Sequence, residues 1–296
     1  MCANKEQFLF AIEGLNAVLY LRQFTSSNYN LAVNYRFEII VTTKNLLPDI
    51  TERNCKLILL GENKNYVHGI VTNWTHSEAN IVGVYTYTVI MQSPLYSLTK
   101  IKHNRVFKNL TIIEIVKKIL KDYRYEIKVN NAYPAYKLMV QYQESDFDFL
   151  VRILNRAGLF YVFRQQNDQA ILLIVDDINA LAKFSKIINY RSPTGANRTE
   201  DSIYSFYERR KLEQQLFFAV TDCRDLQLGQ LLTLRAHPVS KYNTAYRVVG
   251  MKINIEETKL FLQLAAGKYQ LPKIDLHRFY HLLEAAIESD TKYANL

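Results

Sequence analysis

Cysteine is scarce in these 296 residues: only Cys2, Cys55 and Cys223 are present. An odd number of widely spaced thiols offers no disulfide framework and no zinc-ligand spacing. The pattern fits folding in a reducing compartment. No apolar run approaches the ~20 residues that a membrane-spanning helix needs, so no direct membrane insertion is expected. The opening stretch is a poor signal peptide, because Glu6 and Glu13 bracket its short apolar run.

Signatures of chemistry are equally thin. There is no GxGxxG, GxxxxGK[ST], HExxH or GxSxG. The six histidines are His68, His76, His103, His237, His277 and His281. Only His277 and His281 have ligand-like spacing, with Glu284 one turn further along the same helix face. That face borders the solvent side of an amphipathic helix and nothing marks it as a pocket, so no metal site is assigned. Cys55 lies in an apolar strand context, and Cys223 sits in the more polar Thr221–Asp225 stretch. No motif nominates a base for either thiol. Trp74, among Tyr and Phe residues, reads as core or interface. The expectation is therefore no catalytic residue, no cofactor and no metal. The net charge of +9 is spread along the chain rather than bunched in runs. A diffuse surplus does not point to nucleic acid.

What the chain has in abundance is strand-forming residues. Tyr 21 and Phe 15 are high counts, and with Val, Ile and Thr they favour strands. Hydrophobic residues at 49% and charged residues at 22% are ordinary for a soluble globular protein. The length suits two or three domains. Residues 8–92 read as short strands between frequent turns, among them Tyr35–Val41, Cys55–Leu60, Tyr66–Thr72 and Val84–Ile90.

The pattern then changes period. Thr111 and Glu114 form a capping box ahead of the stripe Ile112, Ile115, Val116, Ile119 and Leu120, which predicts a helix, with Leu110 as its staple. Strands are expected near 126–129 and 136–142. The stretch Glu144–Leu150 concentrates three acids and a serine. Ser145 is placed as an N-cap, and Asp146 and Asp148 fall in the first turn, where the helix dipole favours negative charge. Phe147, Leu150, Val151, Leu154 and Ala157 are the expected buried face, and Gly158 follows as the left-handed terminator. A capped helix accounts for all of these residues. Paired acids of a glycosidase would need one carboxyl in an apolar pocket. A hairpin is expected from Leu159–Phe163 and Ala170–Val175, a short helix after Asp177, and a linker over 189–201.

Strands return at Leu231–Leu234, Tyr246–Met251 and Leu260–Ala265. They repeat the earlier order at 57–90: strand, polar loop, aromatic strand holding a glycine, strand. This predicts two related barrels around an insertion. The fold class expected is α+β, mostly β: two related antiparallel β-barrels (1–95 and 189–270), an inserted helix-containing α+β domain (96–188) and a C-terminal helical tail (271–296). The tail's stripe is Leu276, Phe279, Tyr280, Leu283 and Ile287.

Arg105–Thr111 with the following helix resembles a segment of the VgrG family of type VI secretion spike proteins. So does Val140–Leu150 with its helix and the Gly158–Phe163 strand. Tyr35–Glu38, His68–Val71 and Gly229–Val248 also fit. The resemblance covers most of the chain up to about residue 266 and is sparser after 180. It implies the hub part, similar to the baseplate hub of contractile phage tails: a homotrimer whose six barrels sit on an Hcp-like hexameric tube. No valine–glycine needle repeat precedes Leu296, so either a separate spike or needle protein is a partner or this is a truncated or specialised hub; baseplate proteins are the other implied partners. Assembly in the cytoplasm and export through the apparatus are implied as well. Two alternatives remain at this level: a hydrolase using the 144–148 acids, and a polyanion-binding protein using the basic surplus.

Overall fold

The computed structural model describes residues 8–27, 29, 34–61, 64–77, 83–166, 168–177, 180–181, 183–190, 202–211, 214–254 and 259–266. The expected tail helix, His277, His281, Glu284, Cys2, residues 191–201 of the linker and the start of the helix after Asp177 lie outside them.

The chain begins with β1 (Phe8–Ile12), β2 (Tyr20–Ser27), β3 (Arg36–Thr43), β4 (Asn54–Leu60), β5 (Lys64–Ser77) and β6 (Tyr85–Gln92). They form one six-stranded sheet in the order β1-β4-β5-β6-β3-β2, with every pairing antiparallel. Alternate side chains point to one face because the strand period is two. Phe37, Ile39 and Val41 of β3 and Cys55, Leu57 and Leu59 of β4 are accordingly buried. The sheet curls until its two edges approach, and the rings of Phe8 and Phe24 meet edge to face at 5.7 Å. β1 and β2 do not hydrogen-bond, so this module is a curled sheet rather than the closed barrel expected.

Ser93 caps a 3-10 turn over Pro94–Thr99, and the helical unit follows. It contains β7 (Lys102–Thr111), α1 (Ile112–Ile119), β8 (Tyr125–Lys128), β9 (Ala135–Ser145), α2 (Asp146–Arg156), β10 (Phe160–Gln165) and β11 (Ala170–Val175). β7 and β9 make a two-stranded ribbon, and β10-β11-β8 a three-stranded sheet in which β8 runs parallel to β11. The capping box at α1 is formed: Glu114 N donates to Thr111 Oγ1 (3.2 Å) and Thr111 N to Glu114 Oε2 (2.8 Å). The whole predicted stripe of α1 is buried, and it packs with Tyr161, Leu172 and Ile174. Gly158 adopts φ +71° after α2. The buried face of α2 differs from the expected one. Phe149, Leu150, Ile153 and Leu154 are buried, while Phe147, Val151 and Ala157 are partly covered. The helix is rotated because Phe107 stacks on Phe149 at 5.5 Å and draws that ring inward.

The last module is a closed barrel of β12 (Lys183–Tyr190), β13 (Ser202–Lys211), β14 (Gln214–Thr221), β15 (Leu231–Arg235), β16 (Ala245–Asn254) and β17 (Lys259–Ala266), in the order β12-β13-β14-β17-β16-β15. It is not wholly antiparallel, because β12 runs parallel to both β13 and β15. Fed from the helical unit, β12 enters opposite to β1. Asn189 and Tyr190, expected in the linker, belong to this strand.

Strand by strand, this order matches the first sheet: β2 to β6 reappear as β13 to β17. The registers also agree. Phe37 pairs with Met91 and Phe217 with Leu264; Ile39 with Val89 and Ala219 with Leu262. Asn54 pairs with Ile70 and Leu231 with Arg247. Both bulges recur. Arg22 is the extra residue opposite Val41 and Ile40, and Tyr204 the extra residue opposite Thr221 and Val220. Thr72 and Val249 are the extra residues of the second pair. Bulges reset which face a side chain takes, so two bulges at matching positions mark a repeat more firmly than residue identity. The glycines that hinted at the repeat are not equivalent, since Gly69 aligns with Tyr246.

Candidate functional site: the joints between modules

The acids of 144–148 are structural in geometry. Ser145 Oγ accepts from Asp148 N (3.1 Å) and donates to Asp148 Oδ2 (2.6 Å). Asp146 accepts from Arg105 Nη1 at 2.9 and 3.1 Å and from Gln141 Nε2 at 2.8 Å, with His103 Nε2 at 3.8 Å. Glu144, 5% exposed, is gripped by Arg152 through Nε (3.1 Å) and Nη2, and the same guanidinium donates to Val140 O (2.9 Å). Each carboxylate is committed to a cation, an amide or the cap. Together they tie α2 to the β7–β9 ribbon.

Other candidates offer no reaction. Among the described residues, no group of three or more His, Cys, Asp or Glu could hold a metal ion. Burial pushes the Cys55 thiol far above its ordinary range, which leaves it protonated and unreactive. Cys223 is also buried. Trp74 Nε1 donates to Asp49 Oδ1 at 3.2 Å. A cavity of about 750 Å³ lies between the first sheet and the helical unit, lined by Cys55, His68, Tyr123, Phe163 and others. His68 Nδ1 in its wall faces Gln165 Oε1 at 3.2 Å.

Polar side chains are instead concentrated where modules meet. Tyr35 OH donates to His68 O; His68 N donates to Gln165 Oε1 (3.0 Å), and Gln165 Nε2 to Tyr35 OH (3.4 Å). Tyr35 also meets Phe163 edge to face at 5.0 Å. These contacts fix β10 onto the first sheet, and burial holds the Tyr35 phenol well above its usual range.

The joint between the first sheet and the barrel has two parts. At one, segment 222–230 lies on the β4–β5 turn. Arg224 Nη1 donates to Leu60 O (3.2 Å) with its guanidinium over the Phe8 ring (5.7 Å). Asn65 Nδ2 donates to Arg224 O (3.3 Å) and Leu226 O (2.9 Å), and Gln227 Nε2 donates to Asn65 Oδ1 (2.5 Å). Gly61 packs tightly here, and a Cβ on it would press on the Asp225 carboxylate. At the other, β16 lies against β2, with Met251 N donating to Tyr29 O (2.9 Å) and Ile253 N to Ser26 Oγ (3.4 Å). One continuous apolar cluster runs through both modules. The two modules use different surfaces, so the joint is head to tail. Sequence reasoning missed Asn65, Gln165, Arg224 and Gln227, because polar residues in turns look the same whether they face water or a neighbour.

Comparison with known proteins follows this architecture. The model of the phage tail baseplate hub (GPD) family matches residues 30–215, more than half of the chain. The type VI secretion system spike protein VgrG1c of Pseudomonas aeruginosa is 27% identical over 163 residues, 53% of this chain and 22% of that protein. VgrG4b of the same organism is 25% identical over 212 residues, 69% of this chain and 26% of that protein. The chain thus spans about a quarter of the length of the curated relatives it matches. Among solved structures, the Escherichia coli c3393 protein superimposes with a TM-score of 0.77 at 17% identity, covering 90% of this chain and 80% of that one. It is described as a type VI secretion component with structural similarity to the T4 bacteriophage tail proteins gp27 and gp5. A twin-module β architecture around a helical unit, a family match over more than half the chain and these relatives agree: the chain belongs to the phage tail baseplate hub family.

Proposed function

We propose that the chain is a structural hub of a contractile injection apparatus, acting by geometry and not by catalysis. The carrying observation is that one chain holds two modules of matching strand order and register joined head to tail. A head-to-tail contact repeated with a rotation that divides a full turn closes into a ring. Three copies then present six similar modules, a threefold body with a near-sixfold rim. Such a rim suits a hexameric tube of an Hcp-like protein on one side, while the threefold axis suits a separate trimeric spike on the other. Baseplate proteins are the further partners, and the hub is built in the cytoplasm before export through the apparatus. The salt-bridged Glu144 and Asp146, the capping Asp148 and the buried thiols support a non-enzymatic role.

The test is native mass spectrometry of the full chain, followed by electron microscopy of the chain mixed with its candidate tube protein. A trimer capping one end of tube-protein rings is expected. A chain that stays monomeric with and without the tube protein would overturn the reading.

A further inference from the structure

We propose that the cavity between the first sheet and the helical unit receives the carboxyl terminus of a partner protein whose last residue is apolar. This site and the assembly of the hub stand or fall separately.

The floor is the outward face of the first sheet. Ala11 pairs with Lys56 and Lys56 with His68, so the three stand in one row across β1, β4 and β5. All three line the cavity. The roof is the helical unit: Leu95 from the 3-10 turn, Tyr123 and Arg124 from the segment before β8, and Phe163 and Leu172 from β10 and β11. Hydrogen bonds hold this roof in place. Leu172 N donates to Arg124 O (3.0 Å), and Ser97 Oγ and Tyr123 OH share one of 2.6 Å. The volume of about 750 Å³ falls within the roughly 300–1,000 Å³ of ligand pockets, which gather where two units meet.

Charge selects which end of a ligand enters. Among the described residues, neither Lys56 nor Arg124 forms an ion pair. Lys56 Nζ stands instead over the Tyr66 ring at 5.7 Å. Of the carboxylates in the lining, Glu13 Oε2 already accepts from Asn54 Nδ2 (2.8 Å), and Asp122 lies 3.9 Å from Lys121 Nζ. Asp168 is the third. Two cations without a counter-charge, beside Ile70, Leu95, Phe163 and Leu172, match a carboxylate joined to an apolar side chain. The rest of the wall separates a peptide from a fatty acid. His68 Nδ1 faces Gln165 Oε1, and an amide oxygen only accepts, so the proton sits on Nδ1 and Nε2 is an acceptor. Asp168 and the Gln169 amide add further acceptors to the wall. A hydrocarbon chain laid over them would cover acceptors without offering donors. A peptide backbone brings an N–H group at each residue.

The test uses the full chain and four acetylated pentapeptides that differ only in a terminal leucine, isoleucine, valine or phenylalanine, each as the free acid and as the amide. Isothermal titration calorimetry is expected to show saturable binding of at least one free acid below about 1 mM. Its amide is expected to bind about tenfold more weakly, the loss of a charged hydrogen bond. Arg124→Gln and Lys56→Gln are each expected to weaken the free acid by about the same factor. Melting stays as wild type in both variants, because neither cation has an ion pair to lose. Octanoate is the control for a small apolar acid and is expected to bind more weakly than the peptide. Failure of all four free acids, amides that bind as tightly as acids, or an affinity that both substitutions leave unchanged overturns the site. Octanoate that binds as tightly as the best peptide overturns its assignment to a protein terminus. None of these outcomes touches the oligomeric state, which tests the hub reading.

Discussion

Replacing Glu144 by Ala separates a structural acid from a catalytic one. Glu144 is 5% exposed and its partner Arg152 has a side chain 15% exposed. Removing the carboxylate leaves a buried guanidinium with its Val140 O bond at 2.9 Å but without its counter-charge. Breaking a buried pair this way costs about 3–5 kcal/mol, much more than the pair itself contributes relative to an apolar replacement. For a chain of this size that loss lowers the melting temperature by roughly 10 °C. Because Arg152 ties α2 to β9, the loss falls on the helical unit. The double variant Glu144→Leu, Arg152→Met removes both charges and is expected to recover most of the loss. The assay is thermal unfolding by calorimetry, with hydrogen exchange to locate the change. A Glu144→Ala protein within ~1 kcal/mol of wild type would refute the buried-pair reasoning.

At the inner joint, Asn65→Ala strips the acceptors at Arg224 O and Leu226 O and the donor at Gln227 of their partner. A loss of about 1–3 kcal/mol is expected, read as faster hydrogen exchange over 222–230. Gly61→Ala presses a Cβ on the Asp225 carboxylate. A cost of about 1–3 kcal/mol and protease sensitivity at the same joint are expected, while Gly83→Ala meets nothing within 4 Å and bears only its left-handed φ. Asp176 feels some burial that raises its pKa, but the N–H groups of Asn130 and Asn131 outweigh it and the net direction is down. A carboxylate depressed on folding stabilises above its unfolded pKa, and that contribution is lost as pH falls through the folded value. Asp176→Asn should therefore lower stability at neutral pH and flatten the acid limb of the stability curve, measured by urea unfolding from neutral pH to about pH 3.

How much of this could be read beforehand depended on whether the signal was local. The helix at Ile112 carries its start, its stripe and its cap within ten residues, and it was legible in full. Ser145, Asp146 and Gly158 were legible for the same reason. The face of α2 was not, because Phe107 on a distant strand decides which phenylalanine turns inward. β13 and β14 went unrecognised, although they pair directly with each other, Lys211 opposite Gln214. The repeat was visible as an order of strands, yet its proof, two bulges at matching positions, exists only in the register. The joints were invisible: Asn65 looks like any turn residue until Arg224, Leu226 and Gln227 are placed against it.

The differences between the two modules follow a rule. Five strands of six keep their order, direction and register, and both bulges are preserved. The departure is confined to the first strand: β12 closes its barrel by pairing with β13, whereas β1 leaves its sheet open beside β2. That is the strand reached from the helical unit, so the insertion explains the reversal. A chain that joins two modules through these elements needs them in register and tolerates change elsewhere. In this chain the contact elements are β2 and the β4–β5 turn of the first module and β16 and segment 222–230 of the second, and the strands that carry them are all among the five preserved. The strand that differs meets the turn joint through the Phe8 ring beneath Arg224. Conservation of register within the chain thus coincides with the surfaces that join modules, as it would if the ring, and not the individual barrel, were what the repeat serves.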